Sequence, residues 1–120
     1  MDTKLSYYIL NGKRVEKTNL REWGKFFETR ERIIKQETLP NGYWISTVFL
    51  GLDHNFSGGR PLLFETMAFK PRFATAKIGD KDYNLREEVA MDRYFTYKQA
   101  EEGHQKMVDE WIKKPKLRRK

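Results

Sequence analysis

The sequence predicts an α+β domain: an antiparallel sheet of about five or six strands with two helices packed on it, in the chain order ββαββ(ββ)α. Three observations carry that expectation. Asn11-Gly12 separates two short runs of strand character. Two aromatic and β-branched runs, 43–50 and 61–69, flank a Gly-rich connection. Thr96, Gln99 and a train of apolar residues at helical spacing come near the end of the chain.

Taken in order, Asn11-Gly12 supplies the positive φ angles of a type I′ turn, so a hairpin is expected over 5–10 and 13–17. Asn19 is placed to cap a helix, with Glu22 three residues on to complete a capping box. Leu20, Trp23, Phe27 and Ile34 then fall on one helical stripe, with Phe26 and Ile33 beside it. Gly24 inside that helix costs about 1 kcal/mol against Ala. The segment is expected to run on until Leu39-Pro40-Asn41-Gly42 stops it.

The run from Tyr43 to Leu50 has apolar residues on both faces, as a central strand covered on both sides would. Helices are expected on one face and a second subunit on the other, hence a homo-oligomer. The run 61–69 is the expected hairpin partner, in a register that sets Ser46 against Glu65 and Trp44 against Met67. Residues 71–95 suggest a further hairpin around Gly79-Asp80 and then a strand or an irregular return. Thr96 and Gln99 form a T-x-x-Q capping box. Tyr97, Ala100, His104, Met107, Val108, Trp111 and Ile112 follow at helical spacing, and Pro115 ends the helix.

A chain of 120 residues fits one domain, assigned to 1–112, and can bury a core without staples. Only 38% of it is hydrophobic and 34% is charged, so eight Phe, six Tyr and three Trp must supply much of the core or an interface. The absence of Cys excludes disulfides, thiolate nucleophiles and Cys-based zinc sites. The first ten residues lack the pattern of a signal peptide, and no apolar run approaches the roughly 20 residues of a membrane span.

The net charge of +7 is unevenly placed. Lys113, Lys114, Lys116, Arg118, Arg119 and Lys120 carry six of those charges in a tail, 113–120, expected to be disordered. The body retains only +1. Non-specific, salt-dependent nucleic-acid binding through the tail is one alternative function.

Candidate chemistry centres on "FLGLDHNFSGGRPLLFETM", Phe49–Met67. Gly51, Gly58 and Gly59 can turn successive backbone N–H groups toward one anion. Arg60 can grip a phosphate, Phe56 can stack on a base, and Asp53 and Asn55 can bond base or ribose hydroxyls. The competing reading is a hairpin loop whose Asp and Asn bond their own backbone. Glu65 lies among apolar residues of the following strand. Arg30, placed on the inner stripe of the first helix, needs Glu65 or Asp92 as a partner. Arg93 is a further candidate; for these arginines an internal salt bridge is the favoured reading and a phosphate clamp lined by Trp23 or Tyr94 the alternative. His54 invites a small hydrolase as a further alternative, but no nucleophile, base and orienter assemble in sequence. With two His and no Cys, a metal site is not expected, nor is a cofactor. His104 reads as a core-edge histidine making one hydrogen bond.

Several stretches carry a resemblance. Tyr7–Leu10 with Gly12, Trp23 to Arg30, "STVFLGLDHNF" at Ser46–Phe56, "PLLFETM" at Pro61–Met67, and Asp92 to His104 resemble a widespread group of small tailed-phage and prophage proteins. The likeness covers most of residues 7–108; the group more often has Gly and Pro where this chain has Ser57 and Arg60. The resemblance implies a phage accessory protein acting in the host bacterial cytoplasm. Proteins of that origin often counter host defence. They block a defence protein or sequester a nucleotide signal, as the anti-Thoeris and anti-CBASS sponges do. The expected function is therefore non-catalytic anti-defence binding of a nucleotide-like small molecule or a host defence protein.

Overall fold

A computed structural model of the chain describes residues 6–53, 55 and 57–115, with the backbone alone at 72–75 and 84. Among these residues it has six strands, two α-helices and a short 3₁₀ turn, an α+β fold. β1 (Tyr7–Asn11) and β2 (Arg14–Thr18) form a hairpin. The expected turn type is corrected: Asn11 pairs with Arg14, so Gly12 and Lys13 are the loop residues. Only Gly12 has positive φ, at 64°, which fits a II′ turn, whereas I′ needs two such residues.

α1 (Leu20–Phe27) starts where expected, with the Glu22 N–H donating to Asn19 Oδ1 at 2.9 Å. It stops far earlier than the helical stripe suggested. Thr29 Oγ1 donates to the Phe26 carbonyl at 2.7 Å and accepts from the Glu31 N–H, which closes the helix and opens a 3₁₀ turn, Arg30–Arg32. Ile33 and Ile34 then enter β3 (Ile33–Thr38), where β-branched residues favour extended backbone.

β4 (Trp44–Phe49), β5 (Phe64–Ile78) and β6 (Lys81–Tyr94) complete an antiparallel sheet in the order β3-β4-β5-β6. The expected β4–β5 register is corrected by two residues: Ser46 faces Met67, and Glu65 faces Val48. Leu50 donates to the Leu63 carbonyl at 2.7 Å, so the ladder closes there. The chain then leaves the sheet at Gly51, whose carbonyl receives the Tyr8 N–H at 2.8 Å and so docks the β1–β2 hairpin. Gly51 has φ +72°, and a Cβ there would lie 2.4 Å from Trp23 Nε1. The hairpin expected around Gly79-Asp80 is present as the far end of one long ribbon, β5 with β6.

α2 (Tyr97–Trp111) has the full Thr96/Gln99 capping box and lies over one face of the sheet. Its far end is closed by Asn41, whose side-chain amide donates to the carbonyls of Trp111 and Lys114 at 2.7 and 2.9 Å, supplying acceptor groups left over at a helix end with donors. Ala100, His104, Met107 and Val108 are its buried residues. They divide the core into two apolar halves. Phe49, Phe64 and Ala100 belong to one; Ile45, Ala68, Met107 and Val108 belong to the other. Between them each element contributes a polar residue: Thr47, Thr66 and His104. The opposite face of the sheet carries half-buried Trp44, Val48, Glu65, Met67, Phe69 and Arg93, with Met91 exposed. No described helix is long and apolar enough to cross a membrane.

Candidate functional site

The polar layer is a continuous chain of hydrogen bonds. Thr66 Oγ1 and Thr47 Oγ1 lie 2.6 Å apart, Thr47 Oγ1 and His104 Nδ1 2.7 Å, and His104 Nε2 and Glu37 Oε2 2.8 Å. Lys35 flanks Glu37 at 3.3 Å. An ionised carboxylate only accepts, so His104 donates from Nε2; in that tautomer Nδ1 accepts from Thr47, which accepts from Thr66. His104 thus makes two hydrogen bonds, which corrects the single bond expected of it. The hydrogen bond from His104 holds the Glu37 carboxyl below its ordinary value, with burial opposing and Lys35 assisting. Hydroxyl, imidazole and carboxylate follow one another as in a hydrolytic triad. Thr47 is nevertheless wholly buried and already bonded to Thr66, so it offers no surface to a substrate. The layer fixes α2 on the sheet.

The loop after β4 is braced by its own polar groups. Asp53 Oδ1 accepts from the N–H groups of Asn55 and Leu62 at 2.8 and 3.1 Å, and the Asn55 side chain donates to the Arg60 carbonyl at 2.8 Å. Gly58 and Gly59, at φ +84° and +89°, turn the exposed tip. Gly51 is buried against Trp23, apart from that tip. His54 and Phe56 lie outside the described residues, as do Lys116, Arg118, Arg119 and Lys120 of the tail. Lys113 and Lys114 are exposed, with Lys114 over the Trp111 ring.

The loop leads to a groove. The Arg60 guanidinium sits 4.9 Å from the centroid of Phe95, and Phe95 lines a groove of about 360 Å³ with Arg93, Tyr94, Gln99, Glu102, Gly103 and Lys106. The Leu63 N–H donates to the Tyr94 carbonyl at 3.1 Å and ties loop end to groove wall. Arg93 is held by its Nε, which donates to Glu65 Oε2 at 3.0 Å. Both residues are partly buried, and the bridge leaves the Nη edge of the guanidinium without a partner among the described residues. Gln99 Oε1 accepts from the Phe95 and Thr96 N–H groups, fixing the turn that presents Phe95. The Tyr94 ring packs on the bare backbone of Gly103, where a Cβ would lie 2.1 Å from the ring. Burial raises the Tyr94 phenol above its ordinary value, with the Thr66 hydroxyl nearby opposing and the Asp92 charge assisting, and among the described residues its hydroxyl makes no hydrogen bond of good geometry.

Of the sequence candidates, Arg60, Glu65, Arg93 and Tyr94 are therefore brought to one region, with Asp53 and Asn55 bracing the loop behind it. Arg30 is not. It is exposed on the 3₁₀ turn, because α1 ends before reaching it, and Glu65 pairs with Arg93 instead. Phe95, Gln99, Glu102, Gly103 and Lys106 were missed as wall residues; Phe95 lies in the turn before α2, and the other four lie on α2 off its apolar stripe, where sequence gives no sign of a wall.

Two other concavities differ in chemistry. One, of about 370 Å³, sets Glu16, Glu22 and Glu31 against Lys25 and repels anions. The other, beside Lys35, Glu101 and His104, holds about 150 Å³. That is below the roughly 300 Å³ at which small-molecule sites begin. Among the described residues no three metal-ligating side chains converge. Comparison with family models, with curated proteins and with solved structures finds no match to this chain.

Proposed function

We propose that this chain is a non-catalytic binding protein whose groove between β6 and α2 takes a phosphate-bearing, nucleotide-like molecule. The observation that carries the reading is the groove of about 360 Å³ where Lys106, Phe95 and Tyr94 meet, with Arg93 at its edge, tied to Glu65 on the other face of the sheet, and Arg60 over the Phe95 ring. The volume suits a mononucleotide or part of a cyclic dinucleotide. The cations suit phosphate, and an aromatic wall suits a base. In the phage context implied by the sequence resemblance, such binding sequesters a nucleotide immune signal in the cytoplasm of the infected bacterium.

The test is a thermal-shift panel of cyclic mono- and dinucleotides against wild type and Arg93→Ala. Stabilisation by at least one nucleotide that is lost in Arg93→Ala supports the reading. No shift with any member, or a shift unaltered in Arg93→Ala, overturns it.

A further inference from the structure

The β5–β6 ribbon reaches past the rest of the fold. Strand β4 pairs with β5 only from Phe64 to Phe69, so residues 73–78 and 81–86 form a ribbon of two strands. The molecule measures 52 × 39 × 28 Å, and its radius of gyration is 16.5 Å. A compact chain of this length has about 13.6 Å. Two-stranded ribbons are marginal in water on their own. One face of this one is apolar and open: Ile78, Tyr83 and Leu85 are 67%, 42% and 50% exposed.

Each ribbon strand also has an outer edge, and the two edges differ. That of β5 carries Lys70 and Lys77 with no acid from Lys70 to Ile78, and Pro71 lacks an N–H. A second copy of it is repelled. The edge of β6 reads Lys81, Asp82, Tyr83, Asn84, Leu85, Arg86, Glu87. We propose that this edge pairs antiparallel with the same edge of a second copy of this chain, with a two-fold axis at residue 84. In that register Lys81 faces Glu87 of the other copy, Asp82 faces Arg86, and Tyr83 faces Leu85, each pairing made twice. Opposite charges and an aromatic–aliphatic pair are the cross-strand neighbours that stabilise a sheet.

Neighbouring registers pair less well: an axis at Tyr83 sets Lys81 against Leu85 and Asp82 against Asn84 and so loses both ion pairs between the strands, whereas in the register at 84 the acid Glu88 meets only Asp80 of the turn, beyond the end of β6. An axis at Leu85 sets Asp82 against Glu88, one at Arg86 sets arginine on arginine, and one at Glu87 sets Asp82 on Asp92 and Lys81 on Arg93. Within the chain Glu87 already bonds Lys70 at 2.8 Å and Arg86 lies over Trp44. Both side chains are thus held at the ribbon before the copies meet. The pairing joins two ribbons into a four-stranded one and brings the apolar stripes together. It stops before Arg93, so the groove stays open, and the inference stands independently of what the groove binds.

The chain has no cysteine, so single substitutions give clean cross-linking sites. Directly opposed residues have Cα atoms about 4.5–5.5 Å apart, within reach of a disulfide. At 82 or 86 the two copies' residues are four positions apart along the strand, about 14 Å, which is out of reach. Light scattering of the wild type is expected to give twice the 14.4 kDa chain mass. Oxidised Asn84→Cys is expected to give the covalent dimer, and Asp82→Cys and Arg86→Cys to remain single chains. A wild-type mass of one chain, or a dimer with any other cross-linking pattern, overturns the pairing.

Discussion

The same substitution, Gly to Ala inside a helix, is expected to have opposite signs at the two helical glycines. Alanine is favoured over glycine in a helix interior by about 1 kcal/mol. At Gly24 of α1 a Cβ meets nothing within 4 Å, so Gly24→Ala gains that preference in full. At Gly103 of α2 the new Cβ falls 2.1–2.3 Å from Tyr94 Cζ, Oη and Cε1. The ring must leave its place on the groove floor. Overpacking of this kind costs about 1–3 kcal/mol, and with three ring atoms in conflict the upper half applies. Less the helix preference, Gly103→Ala loses about 1–2 kcal/mol. For a chain of this length 1 kcal/mol moves Tm by about 4 °C. Gly24→Ala is therefore expected to melt about 4 °C higher and Gly103→Ala about 4–8 °C lower, by circular dichroism. Equal stabilisation of both variants refutes the packing of Tyr94 on Gly103, and with it the geometry of the groove.

The buried polar layer gives two further expectations. Thr47→Val keeps the shape but strips partners from Thr66 and His104, at about 1–3 kcal/mol for each group left unsatisfied. Urea denaturation checks it, and a loss under 0.5 kcal/mol contradicts the network. The lowered pKa of Glu37 stabilises the fold fully above its ordinary value of 4.5, and that share is lost as pH falls through the lower folded value. Glu37→Gln is therefore expected to flatten the acid limb of the stability curve; an unchanged acid limb removes Glu37 as a contributor. Gly51→Ala sets a Cβ 2.6 Å from the Tyr8 carbonyl oxygen at a positive φ, and backbone cannot swing aside. Hydrogen exchange is expected to rise in β1, β2 and α1 while β4 and β5 stay protected. Unaltered protection of β1 contradicts the docking role of Gly51.

Local signals in the sequence located most elements. The Thr96–Gln99 box and the apolar spacing behind it define α2, and the runs around 44–49 and 64–69 define the central strands. What failed were decisions made by competition or by distant partners. Ile33 and Ile34 extend a helical stripe as well as they begin a strand; Thr29, bonding the Phe26 carbonyl, settles it. The β4–β5 register depends on the Leu50–Leu63 bond, which an assumed symmetric loop misplaces. His104 gains partners 57 and 67 residues away, which no spacing rule reaches. Arg93 and Tyr94 stood out by type alone, but Lys106 and Gly103 become groove residues only once α2 crosses β6.

The most direct test of the groove is an amide chemical-shift map of the ¹⁵N-labelled full chain titrated with a cyclic dinucleotide and, separately, with a mononucleotide. Saturable shifts confined to 93–106 and the Arg60 loop are the expected result for at least one of them. Shifts absent throughout, or centred on Lys113, Lys114 and the tail, contradict the account.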